Sequence, residues 1–113
     1  MALPALAGPF PLTPAGINLH QMPRMSGAYC LGSIGSDGKF KAAYVGRADD
    51  DLSRHLGQYV GSPNYDVFLY ALAQSPHQAF LIECQLYHGF APRDNTTHPV
   101  RPLNTNWICP DCG

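Results

Sequence analysis

The chain has 113 residues, 45% of them apolar and only 13% charged, with a formal net charge of -1. That is one domain with a modest core, not two. With 7 Lys+Arg in all, it excludes a protein that holds nucleic acid through bulk charge, so any such site has to be a local patch. Cys30, Cys84, Cys109 and Cys112 are too unevenly spread for a dense disulfide framework. No apolar run reaches the length of a bilayer span. Residues 1–9 are apolar but lack a basic n-region and are broken by Pro4 and Pro9, so they do not read as a signal peptide. A cytoplasmic, reducing compartment is the expectation.

Residues 1–22 hold Pro4, Pro9, Pro11 and Pro14 and predict an extended arm, not a helix. The stretch Gly27-Ala28-Tyr29-Cys30-Leu31-Gly32 reads as a strand, Gly35-Ser36-Asp37-Gly38 as a turn, and Phe40-Lys41-Ala42-Ala43-Tyr44-Val45 as the returning strand. Asp49, Asp50 and Asp51 then suit the start of a helix. Leu52, Leu56, Tyr59 and Val60 share its buried face, and Gly61-Ser62-Pro63 ends it. Residues 65–73 are mostly apolar and read as a third strand. Ser75-Pro76-His77-Gln78 forms a capping box that starts a helix to about His88, stopped by Gly89. The proline-rich remainder is expected to be irregular. The order β-β-α-β-α predicts a small α+β domain, an antiparallel sheet flanked by helices, over residues 23–106, with a tail at 107–113.

Five elements stand in a telling order: Gly27-Ala28-Tyr29, Tyr44-Val45-Gly46, Arg54 ten residues after Tyr44, Glu83 inside the second helix, and Arg101-Pro102-Leu103-Asn104. Together they resemble the GIY-YIG nucleases, and Met22-Pro23-Arg24-Met25-Ser26 is similar to that family's approach to its first motif. The resemblance spans residue 23 to about 106. It implies a metal-dependent endonuclease hydrolysing phosphodiester bonds of DNA, single- or double-stranded, with RNA as an open alternative; the lack of a long apolar run argues for no membrane partner, and the sequence leaves the oligomeric state open. By the same resemblance Glu83 holds Mg²⁺ (or Mn²⁺), Arg54 faces the scissile phosphate, Tyr29 is the base, Tyr44 a positioning hydroxyl, and Asn104 orients a phosphate or a turn. Three departures stand out: Ala28 replaces isoleucine, the gap from Tyr29 to Tyr44 is long, and Gln58 lies four after Arg54 where the family carries His or Tyr. Tyr59 and His55 are neighbours able to take that last role.

Each of these residues also has a plainer reading. Strand tyrosines pack in cores, lone helix arginines are solvated, Glu83 among Phe80, Leu81, Ile82 and Leu86 can sit at a helix's polar edge, and Asn104 suits a turn. Lys39, Lys41, Arg47 and His55 are candidates for nucleic-acid contact; His55 and His77 are alternative bases. Cys109-Pro110-Asp111-Cys112-Gly113 reads as one knuckle of a zinc site, which needs four ligands. Cys30, Cys84, His88, His98 or a second subunit can supply the rest; a free pair or a labile disulfide is the plain alternative. Two other functions compete: a non-catalytic nucleic-acid or protein binding module on the same fold, and an interaction domain organised by a zinc knuckle.

Overall fold

The computed structural model of the protein describes residues 6–19, 25–95, 97–102 and 105–110. The elements run β1 (Ala7–Pro11), α1 (Pro14–Leu19), β2 (Gly27–Ile34), β3 (Phe40–Ala48), α2 (Leu52–Gly57), β4 (Val67–Leu72) and α3 (Pro76–Phe90). The strands form one antiparallel sheet in the order β1-β4-β2-β3. This is a small α+β domain, as expected. It has one strand and one helix more than the expected order, and both come from the proline-rich lead-in.

Among its described residues that lead-in is extended over β1, and the expectation of no helix is corrected by α1. Proline removes a ladder donor, which an outer strand tolerates, and β1 lies at the sheet's edge against β4. Phe10 packs on Phe68 and Tyr70 at ring-centroid distances of 5.7 and 6.0 Å. Pro14 then takes the first helical position, where its missing N–H costs nothing. Thr13 Oγ1 accepts from the Gly16 N–H at 2.9 Å. Leu12 and Ile17 are buried with Leu52 and Leu56, so the lead-in contributes to the core.

The turn between β2 and β3 forms where the sequence puts it. Gly38 adopts φ +78°, a left-handed conformation open to glycine, and Asp37 Oδ1 accepts from the Lys39 N–H at 3.1 Å. β2 is central, and it is buried from Gly27 to Gly32. Tyr29 and Leu31 pack on one side with Phe68, Leu52 and Leu56. Ala28, Cys30 and Val45 pack on the other with Ala79, Ile82 and Leu86 of α3. The sheet is therefore sandwiched between α1 and α2 on one face and α3 on the other.

α2 is short, capped by Asp51, whose side chain accepts from the Arg54 N–H at 3.3 Å. Tyr59 and Val60 lie in turns beyond its end, yet still pack on the core. α3 starts as predicted. Ser75 Oγ accepts from the Gln78 N–H at 3.1 Å, and Gln78 Oε1 reaches back to the Gln74 N–H at 2.6 Å. It passes Gly89 and ends at Ala91, which takes the left-handed conformation with φ 46°.

The irregular segment after α3 does two jobs. Asn95 accepts from the Val45 N–H at 2.8 Å and donates to the Val45 carbonyl at 2.9 Å, and the Asp94 N–H donates to the Ala43 carbonyl. These bonds cover the free edge of β3 as a further strand would. The chain then runs back along α3, stacking Trp107 on His77 at 4.7 Å and burying Cys109 against Phe80 and Cys84. No helix among the described residues is long and apolar enough to cross a membrane.

Candidate active site

The β2–β3 register sets Tyr29 opposite Gly46 and Leu31 opposite Tyr44, so both tyrosines project from one face. The register shifts between Leu31 and Gly32, which pairs with Ala42 and leaves Ala43 as the extra residue beside Tyr44. A bulge of this kind re-aims the adjacent side chain. Tyr59, from the turn after α2, completes the cluster, with ring centroids 5.9 Å from both Tyr29 and Tyr44. The Tyr29 and Tyr59 hydroxyls are 3.5 Å apart. Gly46 makes room for this arrangement, since a Cβ there would lie 2.5 Å from the Tyr29 hydroxyl and 2.6 Å from Cζ.

Arg47, one residue on, points to the opposite face, toward α3. Its Nη1 donates to Glu83 Oε1 at 2.7 Å and its Nε to Asp49 Oδ1 at 3.0 Å. Its guanidinium also lies 5.4 Å over the Phe80 ring. Because β3 is an edge strand and Gly46 carries no side chain, the phenols of one face and the ion pair of the other meet in a single open pocket. Its volume is about 720 Å³, and Asp50, Arg54, His55, Gln58 and Val100 also line it. Arg54 Nη2 rests on both carboxylate oxygens of Asp50 at 3.3 and 3.0 Å, and both side chains are exposed.

Glu83 is 8% exposed. Burial raises its carboxyl above the ordinary range, and the Arg47 guanidinium opposes that rise without cancelling it. Burial, then the neighbouring Tyr59 hydroxyl, pushes Tyr29 far up. Tyr44 is pushed up to about 12 by burial and then by Tyr59. Tyr65, burdened by burial and by its 2.7 Å hydrogen bond to Asp94, also rises to about 12. All three therefore favour the neutral phenol in the folded state. A folded pKa above an unfolded value near 10 contributes stability that is complete below pH ~10 and is lost as the pH climbs through the folded value. Stability is therefore expected to fall progressively as the pH rises from about 10 toward about 12. Chemical denaturation followed by circular dichroism at a series of pH values checks this, and a midpoint that stays constant above about pH 10 would contradict the raised phenols.

Of the residues singled out in the sequence, Tyr29, Tyr44, Arg47, Arg54, His55 and Glu83 line this one pocket. Lys39 and Lys41 do not: they lie at the hairpin tip, where Lys41 pairs with Asp37 at 3.2 Å. Asn104 and Cys112 lie outside the described residues. The sequence reading missed Asp49 and Asp50 as pocket acids, because an acidic run before a helix already has a capping explanation. Tyr59, expected both on a helix's apolar face and as a neighbour able to take the role at Gln58, lines the pocket as well.

A second group lies on the outer side of α3. One ligand atom each from Cys84, His98 and Cys109 falls within 4.8 Å of the others, a set that could hold a metal ion. Cys30 is in the core beneath α3, and His88 lies beside His98 with their Nε2 atoms 3.3 Å apart.

No family model, no curated protein and no solved structure matches the chain. Function is read from the pocket.

Proposed function

We propose that the protein is a GIY-YIG-type endonuclease, a hydrolase of phosphodiester bonds acting on DNA with Mg²⁺ or Mn²⁺. The observation that carries this reading is the convergence of Tyr29, Tyr44, Arg47, Arg54 and Glu83 from β2, β3, α2 and α3 on one polar pocket.

The donors fit a hard cation. Three carboxylates, Asp49, Asp50 and Glu83, face two guanidiniums, Arg47 and Arg54, which leaves one surplus negative charge. A divalent ion reverses that sign, so a pocket in an acidic protein becomes receptive to phosphate. Oxygen donors such as Glu83 suit Mg²⁺, which binds through one or two carboxylates with waters and supplies Lewis acidity toward phosphate oxygens. Arg54 gives up little to meet a phosphate, because an exposed pair like Arg54–Asp50 is worth only ~0–1 kcal/mol. Its planar fork then matches two phosphate oxygens and charge that grows in the transition state.

The raised tyrosines refine the expected roles. Tyr29 and Tyr44 keep their protons and serve as hydrogen-bond donors that orient water or phosphate oxygens. His55 brings an imidazole to the same wall, the side-chain type suited to moving a proton near neutral pH. A single-stranded target suits this pocket, since the exposed Arg54 also lines a neighbouring groove of about 760 Å³ formed with α1, and a flexible strand can follow both.

One observation favours a non-catalytic binding module: both pocket arginines are already ion-paired. The deciding experiment measures cleavage of labelled single-stranded DNA, duplex DNA and RNA, with Mg²⁺ added or simply omitted, by the wild type and Arg54→Ala. The nuclease reading expects Mg²⁺-dependent cutting that falls about 100-fold in the variant. Binding without cutting of any substrate would replace it with the binding module.

A further inference from the structure

We infer that Cys84, His98 and Cys109 are ligands of one structural Zn²⁺, which clips the chain after α3 onto the outer side of that helix. The inference stands independently of the nuclease reading.

Three of the four ligands are already assembled. Their donor atoms lie within 4.8 Å of one another. Tetrahedral zinc with Zn–S of about 2.3 Å and Zn–N of about 2.0–2.1 Å needs separations of roughly 3.5–3.8 Å, so a contraction of about 1 Å closes the set. Cys84 is fully buried and Cys109 nearly so, in a small cluster with Phe80, Leu81 and Trp107 around them. That shell excludes water from the sulfurs, as a closed structural site requires.

His98 is oriented as a ligand should be. Its Nδ1 lies 2.9 Å from the Pro99 carbonyl oxygen. A carbonyl only accepts, so Nδ1 carries the proton and Nε2 keeps its lone pair. A backbone carbonyl holding the far ring nitrogen is the usual support of a metal-bound histidine. The imidazole is also hydrogen-bonded to Cys109, which places thiol and imidazole where zinc would join them. Binding releases the thiol protons to solvent, with no change of oxidation state.

Cys112, outside the described residues, is the fourth donor that the sequence offers. It follows Cys109 in Cys109-Pro110-Asp111-Cys112-Gly113, and two cysteines separated by two residues form a common half of a zinc site. The alternative fourth donor is His88, through its proximity to His98. The clip has a consequence for the pocket. Val100, which lines it, lies between His98 and Cys109, so fixing both ends of that segment fixes the pocket's rim.

The test uses the full chain, purified under reducing conditions. Metal analysis is expected to find one zinc per chain. Replacement by Co²⁺ should give a near-ultraviolet thiolate charge-transfer band and the intense visible bands of a tetrahedral site. Cys84→Ser and Cys109→Ser should lose the metal. Cys112→Ser should weaken binding at least about 10-fold in competition with a chromophoric chelator, while His88→Gln keeps it. The wild-type cobalt spectrum needs no variant to fold. Absence of metal and of the cobalt bands would overturn the site, as would a Cys84–Cys109 disulfide found by mass spectrometry. Loss of metal in His88→Gln with retention in Cys112→Ser would overturn the ligand set.

Discussion

Under the proposed function, Glu83→Gln is expected to lower Mg²⁺-dependent cleavage about 100- to 1000-fold while the domain stays folded. The glutamine keeps the side chain's shape and removes its charge, so the pocket loses one of its three carboxylates and, with it, the proposed ligand of the hard cation. Losing one such preorganised electrostatic contact typically costs this much in rate. The price in stability should be smaller. Removing one partner of a buried ion pair is costly when the other is left alone, but Arg47 keeps Asp49 at 3.0 Å and its stack on Phe80. A loss of about 1–3 kcal/mol follows from one weakened charged hydrogen bond. Single-turnover cleavage and thermal melting, run on the same preparations, separate the two effects. A variant that cuts within about 10-fold of the wild type would remove Glu83 from the mechanism. A variant that does not fold would place its role in the core.

Much of the frame was legible because local chemistry and tertiary structure agree there. The turn at Gly35-Ser36-Asp37-Gly38 has one good solution, and Ser75-Pro76 announces α3 by rules that act within four residues. The lead-in was misread for the opposite reason. Pro9, Pro11 and Pro14 argue against helix and ladder alike until it is known that β1 is an edge strand and that Pro14 stands first in α1. Edge position is a tertiary fact. The site was half legible by the same logic. Tyr29, Tyr44, Arg54 and Glu83 stand out by order along the chain, but Arg47 meets Glu83 across 36 residues, and nothing in the spacing says that one will neutralise the other. The company of Cys84, His98 and Cys109 was open among several partners, because it depends on the path of an irregular segment along α3.

Under the proposed function, the ion pairs explain how a chain with few cations would still receive a phosphate. Neither arginine of the pocket is idle: Arg47 is held by Glu83 and Asp49, and Arg54 by Asp50. Their energetic worth differs with burial. Arg54–Asp50 is solvated and exchangeable, whereas Arg47–Glu83, with side chains 14% and 10% exposed, is a fixed part of the wall. Under the proposed function, Arg54 is thus the side chain that moves to substrate, and Arg47 the one that keeps Glu83 aimed into the pocket.

Gly46→Val is expected to dismantle the site while leaving most of the sheet intact. The new Cβ would lie 2.5 Å from the Tyr29 hydroxyl and 2.6 Å from Cζ, closer than side chains approach. Tyr29 cannot swing clear into water, because it is 2% exposed and packed in the core with Leu31, Leu52 and Phe68. The strain must go into the β2–β3 ladder, at a cost of about 1–3 kcal/mol for an overpacked core. It also separates the phenols from Glu83 and Arg47, which meet only across this bare stretch of edge strand. Tyr29→Phe should not rescue it, since removing the hydroxyl leaves the contact with Cζ. Tyr29→Ala should, because the ring that collides is gone. A double-mutant cycle on thermal stability is expected to give a favourable coupling of about 1 kcal/mol or more for Gly46→Val with Tyr29→Ala, and none with Tyr29→Phe. Additive effects in both cycles would mean that Gly46 is kept for the backbone, and that the two faces of the sheet do not share their chemistry through it.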